Sequence, residues 1–230
     1  MALAPQPQAL TRSAEDYLKA IYTLSADGAA AATSEIASRL AISPPSVSGM
    51  LRRLAEGGLI RHAPYRGVEL TEAGRRLALR VVRRHRIIEA FLVAQLGLSW
   101  DEVHHEAERL EHAASDLVVE RMAAALGHPE FDPHGDPIPA ADGSLPSRPA
   151  TALTEVKPGD TVTVHRVLTG DAARLRFLAS LGLTPGASVT VVERQPFQGV
   201  LRLQVDAREQ VVGHALAAQL LCEHRGGADA

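Results

Sequence analysis

SEIASRLAISPPSVSGMLRRLAEGGLIRHAPYRGVELT, residues 34–71, decides the fold of this 230-residue chain. SEIASRL reads as a short helix with Ser34 near its N-cap, and AIS as a tight turn. PPSVSGMLRRLAEGGLI then starts a second helix on Ser43 as N-cap. Pro44 and Pro45 stand in its first turn, where a missing N–H is harmless, and Gly57-Gly58 stops it. Val47, Met50, Leu51 and Leu54 recur at helical spacing and form its buried stripe. LIRHAPYRGVELT alternates around a Tyr-Arg-Gly tip, the pattern of a small β-hairpin. Upstream, EDYLKAIYTL places Tyr17, Leu18, Ile21, Tyr22 and Leu24 at helical spacing. Helix, helix, tight turn, helix, hairpin is the order of a winged helix-turn-helix.

In that motif the second helix enters the major groove N-terminus first. Ser43, Pro45, Ser46 and Gly49 are then expected nearest base edges, and Arg52, Arg53 and the wing-tip Arg66 on phosphates; Ser34 and Ser48 complete the expected DNA-binding set. Small side chains make few bidentate base contacts, so specificity is expected from DNA shape and from apolar contact with thymine methyls. Charge agrees with this reading. Residues 1–95 hold 13 Lys/Arg against 8 Asp/Glu, and residues 96–230 hold 11 against 19. A basic first part joined to an acidic remainder is expected where one part meets phosphate and the other does not.

From Thr71, TEAGRRLALRVVRRHRIIEAFLVAQL continues as one long helical pattern to Gly97, and two shorter helices are expected at about Trp100–Glu111 and Ala113–Leu126. Residues 127–150 are rich in Pro, Gly and Asp and read as loop and linker. Beyond Thr151, DTVTVHRVL, SVTVVERQ, GVLRLQVDA and EQVVGHAL are short Val-rich alternating segments, with one helical piece around Ala172–Leu181, which predicts a small β-barrel. The fold class is mainly α with a small β domain. The expected domains are 1–72, a winged helix-turn-helix; 73–140, a helical metal-binding and dimerisation domain; 141–152, a linker; and 153–226, an SH3-like barrel.

No apolar run approaches the roughly 18 residues of a membrane span, and MALAPQPQALTRS has neither a basic start nor an apolar core, so a cytoplasmic chain without a membrane partner is expected. The one cysteine, Cys222, excludes an internal disulfide framework and a Cys-based zinc site. Nothing resembles a nucleophile–base pair, a P-loop or a dinucleotide fingerprint, and no small-molecule substrate is expected.

DEVHHEAERLEH, residues 101–112, sets eight metal-capable or acidic side chains into twelve positions. If it is helical, His104, Glu108, Glu111 and His112 fall within roughly 100° of arc and face one divalent cation. The alternative is a solvated acidic helix face. His85 and Glu89 stand i, i+4 on the long helix; by itself such a pair is usually a surface ion pair, and together with His104 it completes a three-ligand set. Glu108, Glu111 and His112 need a fourth ligand from elsewhere. Asp16 is the candidate, and its alternative role is an acid favoured by the helix dipole. His62, His128, His134, His165, His214 and His224 read as surface or packing residues, and Trp100 as a packing residue at a helix start.

SAEDYLKAIYTL, ISPPSVSGMLRRL, YRGVELTEAG, RRHRIIEAFL, VHHEAERLEHAASD and GHPEFDPHGDPIP together resemble the diphtheria toxin repressor and manganese transport regulator family of metal-dependent transcriptional regulators. The resemblance covers nearly the whole chain. It implies a homodimer built on the helices after Thr71, an SH3-like, FeoA-like C-terminal barrel, and double-stranded operator DNA as partner. It further implies a primary, activating metal site of Asp16, Glu108, Glu111 and His112, and an ancillary site of His85, Glu89 and His104 with a barrel ligand near Asp171. The iron-responsive members carry Met and Cys where Asp16 and Glu108 stand; the manganese-responsive members carry acids, as here. Three positions depart from family patterns: Lys19 replaces a second acid of some manganese members, Arg174 a barrel Gln, and Gly49 a base-contacting Gln of iron-type members.

Three carboxylates and one imidazole make a hard, oxygen-rich donor set that suits Mn²⁺. Fe²⁺ is the second choice, and Zn²⁺, Co²⁺ or Cd²⁺ are expected to substitute in vitro. The expected function is metal-dependent repression of metal-uptake genes, without enzymatic activity. A carboxylate/His metalloenzyme using the same face is the alternative from another class. It has no need for a winged reader in the first 70 residues.

Overall fold

The computed structural model describes residues 10–25, 28–63 and 67–224. They pack as two compact units, one within Met1–Arg84 plus Pro139–Ser144, the other within His85–Ile138 plus Leu145–Ala230.

The first unit opens with α1 (Arg12–Leu24), whose N-cap Thr11 accepts the Ala14 N–H at 3.3 Å. α2 spans Thr33–Leu40 and α3 spans Pro44–Glu56, with Pro44 and Pro45 in the first turn after N-cap Ser43. Ser34 lies near the start of α2, as its sequence predicts, and the N-cap itself is Ala32. In place of a capping hydroxyl, Glu35 reaches back to accept the Ala32 N–H at 3.0 Å. β1 (Ile60–Ala63) and β2 (Gly67–Leu70) form the antiparallel wing, with Arg61 opposite Glu69; the hairpin tip, including Arg66, lies outside the described residues. Leu18, Ile21, Ile36, Val47, Leu51 and Val68 are fully buried in a common core, each contributing about 1.5–3 kcal/mol of burial. α4 (Glu72–Leu96) starts in this unit and runs into the other. Its Gly74 is obligatory, because a Cβ there would lie 1.9 Å from the Leu59 carbonyl oxygen.

In the second unit, the rest of α4 packs against α5 (Val103–Leu110) and α6 (Asp116–Ala125) through Ile87, Ile88, Leu92, Val103, Ala107, Val119 and Ala123. The acidic helix is shorter than its sequence pattern suggested. It ends at Leu110, with Glu111 as its C-cap and His112 in the turn that follows, and α6 starts only at Ser115, whose hydroxyl accepts the Val118 N–H at 3.3 Å. The four-residue helical arc therefore holds for His104 and Glu108 but not for His112.

The barrel is a six-stranded antiparallel sheet in the order β3-β8-β4-β5-β6-β7. Its strands are β3 (Thr151–Ala152), β4 (Thr161–Val167), β5 (Ser188–Arg194), β6 (Leu201–Val205), β7 (Arg208–Val212) and β8 (Leu220–His224). α7 (Ala172–Ser180) follows β4, and EQVVGHAL divides into the end of β7 and α8 (His214–Ala217). β3 and β8, not anticipated from sequence, pair with each other, and β8 also pairs with β4. The strands bend at register shifts between Val164 and Arg166 and between Val191 and Glu193, which lets the sheet curl around Val162, Val164, Leu175, Leu178, Val189, Leu201 and Leu203. Trp100 packs against this barrel core.

Candidate functional site

α4 and α5 present their polar residues to one another. His85 and Glu89 are one turn apart on α4, and their side chains are almost closed to solvent. His85 Nε2 lies 2.9 Å from Glu89 Oε1 and 3.0 Å from His104 Nδ1, and His104 Nδ1 lies 3.0 Å from the same Glu89 oxygen. Donor atoms of His85, Glu89 and His104 all fall within 4.8 Å of one another, the convergence that a divalent cation requires. The other face of the His85 ring meets Glu111, with Nδ1 and Oε2 2.5 Å apart. His112 Nε2 lies 3.3 Å from Glu111 Oε1, and His104 Nε2 lies 3.4 Å from Glu108 Oε1.

Electrostatics follow from burial. Desolvation pushes the Glu89 carboxyl up, but hydrogen bonds with His104 and His85 outweigh it and hold the group well below the usual carboxylate range. Hydrogen bonds with Glu108 and Glu89 raise His104 to about 9 against the opposing effect of burial. Two buried carboxylates, Glu89 and Glu111, thus share imidazole protons where a cation would otherwise neutralise them. These residues fit a divalent ion.

His134, read from sequence as a surface or packing residue, and Asp132, which the sequence reading did not single out, reach this place. The loop after α6 brings Asp132 and His134 to Glu89, and ligand atoms of all three lie within 4.8 Å of one another. The His134 ring stacks on Trp100 with centroids 5.7 Å apart, and its Nε2 lies 2.7 Å from the Trp100 carbonyl oxygen. Asp132 Oδ1 accepts the backbone N–H groups of His134 and Asp136 at 2.8 and 2.9 Å. Burial first, then the charges of Asp136 and Glu89, push the Asp132 carboxyl well above its ordinary value. Asp132-Pro133-His134 was a legible Asp/His signal, but loop spacing alone does not say which helix it meets. The same loop is tied to the barrel, where Val167 N–H donates to the His134 carbonyl at 2.9 Å and Arg166 pairs with Asp136.

Asp171 does not join the His85, Glu89 and His104 group. It is the N-cap of α7, and its carboxylate accepts the Arg174 N–H at 2.8 Å. Asp16 is half-buried on α1 in the first unit, whereas Glu108, Glu111 and His112 belong to the second.

On the reading side, Ser34, Ser43, Pro45, Ser46, Ser48, Gly49, Arg52 and Arg53 are all exposed. Val47, Met50, Leu51 and Leu54 of the same helix face the core. The Ser43 and Ser46 hydroxyls lie 3.0 Å apart, and Ser48 donates to the Pro44 carbonyl at 3.2 Å.

Comparison with known proteins identifies the domains of the chain. Residues 9–68 match the N-terminal DNA binding domain of iron dependent repressors, residues 71–140 match their metal binding and dimerisation domain, and residues 151–224 match the FeoA domain. The iron-dependent repressor IdeR of Mycobacterium tuberculosis is 40% identical over 208 residues, covering 83% of this chain and 88% of the relative. The diphtheria toxin repressor of Corynebacterium efficiens is 34% identical over 197 residues, covering 81% and 85%. A solved manganese-dependent transcriptional repressor in complex with manganese is similar with a TM-score of 0.83 at 42% identity, covering 92% of this chain and 99% of that one. The structure of ScaR with bound Zn²⁺ gives 0.77 at 34% identity, covering 92% and 99%. The chain belongs to the diphtheria toxin repressor family and is a metal-dependent transcriptional repressor, not an enzyme.

Proposed function

We propose that the metal is Mn²⁺ and that it governs repression of metal-uptake genes by a cytoplasmic homodimer bound to double-stranded operator DNA. The observation that carries the choice of metal is the donor chemistry. The converging side chains offer only carboxylate oxygen and imidazole nitrogen, and the chain's one thiol, Cys222, is 1% exposed inside the barrel core. Hard donors favour Mn²⁺ over metals that select thiolate or thioether. Fe²⁺ is the second reading, favoured by the iron-dependent repressors among the relatives.

The activating ligands in this proposal are Asp16, Glu108, Glu111 and His112, with His85, Glu89 and His104 holding an ancillary ion. The support is family membership together with the oxygen-rich character of the set. When bound, the cation supplies a positive charge that Asp16 of the first unit and three donors of the second share. Asp16 and α3 belong to the same unit, so ligation by Asp16 restrains the reading helix. In a dimer, two readers must meet half-sites about 34–36 Å apart per helical turn, and restraint raises the fraction of molecules that fit. Titration with Mn²⁺, Fe²⁺ and Zn²⁺ while following operator affinity tests the reading. Activation by Mn²⁺ at concentrations where Fe²⁺ is silent is expected, and the reverse order assigns the chain to iron.

A further inference from the structure

Gly49 sits in the interior of α3, where a glycine costs helix stability and nothing in the fold asks for one. It is neither a cap nor a position of positive φ, and a Cβ built on it meets no heavy atom within 4 Å. At about 100° per residue, Gly49 lies on the side of α3 away from Val47, Met50, Leu51 and Leu54, between Pro45 one turn before and Arg52 and Arg53 one turn after. Pro45, Arg52 and Arg53 are all exposed, as is Gly49 itself.

The dimensions of DNA give such a gap a use. A helix with ordinary side chains is about 10–12 Å across. The major groove is about 12 Å wide, so a full-sized helix fills it and is held off its floor by the side chains on its leading face. A helix bare at the middle of that face seats deeper and brings its neighbouring side chains to the base edges.

We propose that Gly49 is a specificity-determining residue of this repressor, its missing side chain permitting the close approach of α3 to base pairs. The proposal rests on α3 being the reading helix. The cost in helix stability is then the counterpart of a contact made only on DNA. Phosphate contacts by Arg52 and Arg53 are sequence-independent and do not need this depth, so the effect falls on specific binding alone.

The experiment uses the full-length Mn²⁺-loaded protein and two fluorescein-labelled duplexes, one selected by it from a random pool and one of scrambled sequence. Gly49→Ala is expected to raise Tm by about 2–4 °C, the gain of Ala over Gly in a chain of this size. It is also expected to weaken binding to the selected duplex about tenfold or more while leaving the scrambled duplex unchanged. A stabilised variant that keeps wild-type affinity for the selected duplex overturns the proposal, as does equal weakening on both duplexes. Arg52→Ala locates the fault. If it weakens binding where Gly49→Ala does not, close approach is wrong; if neither does, α3 is not the reader.

Discussion

His85 and Glu111 share a buried hydrogen bond, Nδ1 to Oε2 at 2.5 Å, although the two residues are proposed ligands of different ions. The opposite ring nitrogen of His85 faces Glu89 and His104. A histidine that donates one N–H to a carboxylate has its tautomer and ring plane fixed, and its other nitrogen is left to bind metal. Glu111 in turn is held by a residue outside its own proposed site.

Replacing His85 with Ala should therefore weaken Mn²⁺ at both sites. Removing an outer partner of a metal ligand costs about 10–100-fold in affinity. Two-site calorimetric titration of the His85→Ala protein is expected to show the tighter Mn²⁺ event weakened by this amount along with loss of the other. A tighter event at wild-type affinity would mean that the His85–Glu111 bond does not support the activating site.

Glu108→Ala and Asp16→Ala should each abolish metal-dependent DNA binding and leave the dimer intact. Neither residue belongs to the apolar clusters that hold α4, α5 and α6 together. Light scattering at micromolar protein checks assembly, and fluorescence anisotropy with labelled operator checks binding. An intact dimer whose operator affinity still responds to Mn²⁺ as wild type does would remove these residues from the switch.

Much of this architecture was legible because its signals are local. Pro44-Pro45 after Ser43 and Gly57-Gly58 at the end bracket α3, and alternation marks β4, β5 and β6. The misreadings are places where a tertiary contact outweighs the local pattern. The acidic helix, expected over about Trp100–Glu111, begins only at Val103 and ends at Leu110, where its C-cap Glu111 is bonded to His85. The pairing of β8 with β3 and β4 joins residues 53 to 71 positions apart, and no local period reports it. Asp132 and His134 were hidden for the same reason, since only the folded loop brings them to Glu89.

Cys222 provides a probe of the barrel. It is 1% exposed in β8, and burial pushes its thiol from the ordinary value of 9.0 up to about 12. Because the folded-state pKa is raised, the barrel's preference for the protonated thiol is fully present below pH 9 and is lost as pH rises toward 12. At pH 8 a thiol reagent is expected to leave the native protein unlabelled and to modify it in step with urea unfolding of the barrel. Rapid labelling of the native chain would contradict the buried placement.

In the proposed mechanism, ion binding and operator binding draw on the same restrained state of the reader. Linkage makes the two reciprocal: whatever factor Mn²⁺ adds to operator affinity, operator must add to Mn²⁺ affinity. The direct measurement is calorimetric Mn²⁺ affinity of the full-length dimer, free and saturated with operator duplex, compared with operator affinity at zero and saturating Mn²⁺. Two equal enhancements are expected, both lost in Asp16→Ala. An Mn²⁺ affinity that is unchanged on operator would contradict this mechanism and leave the metal a structural ion.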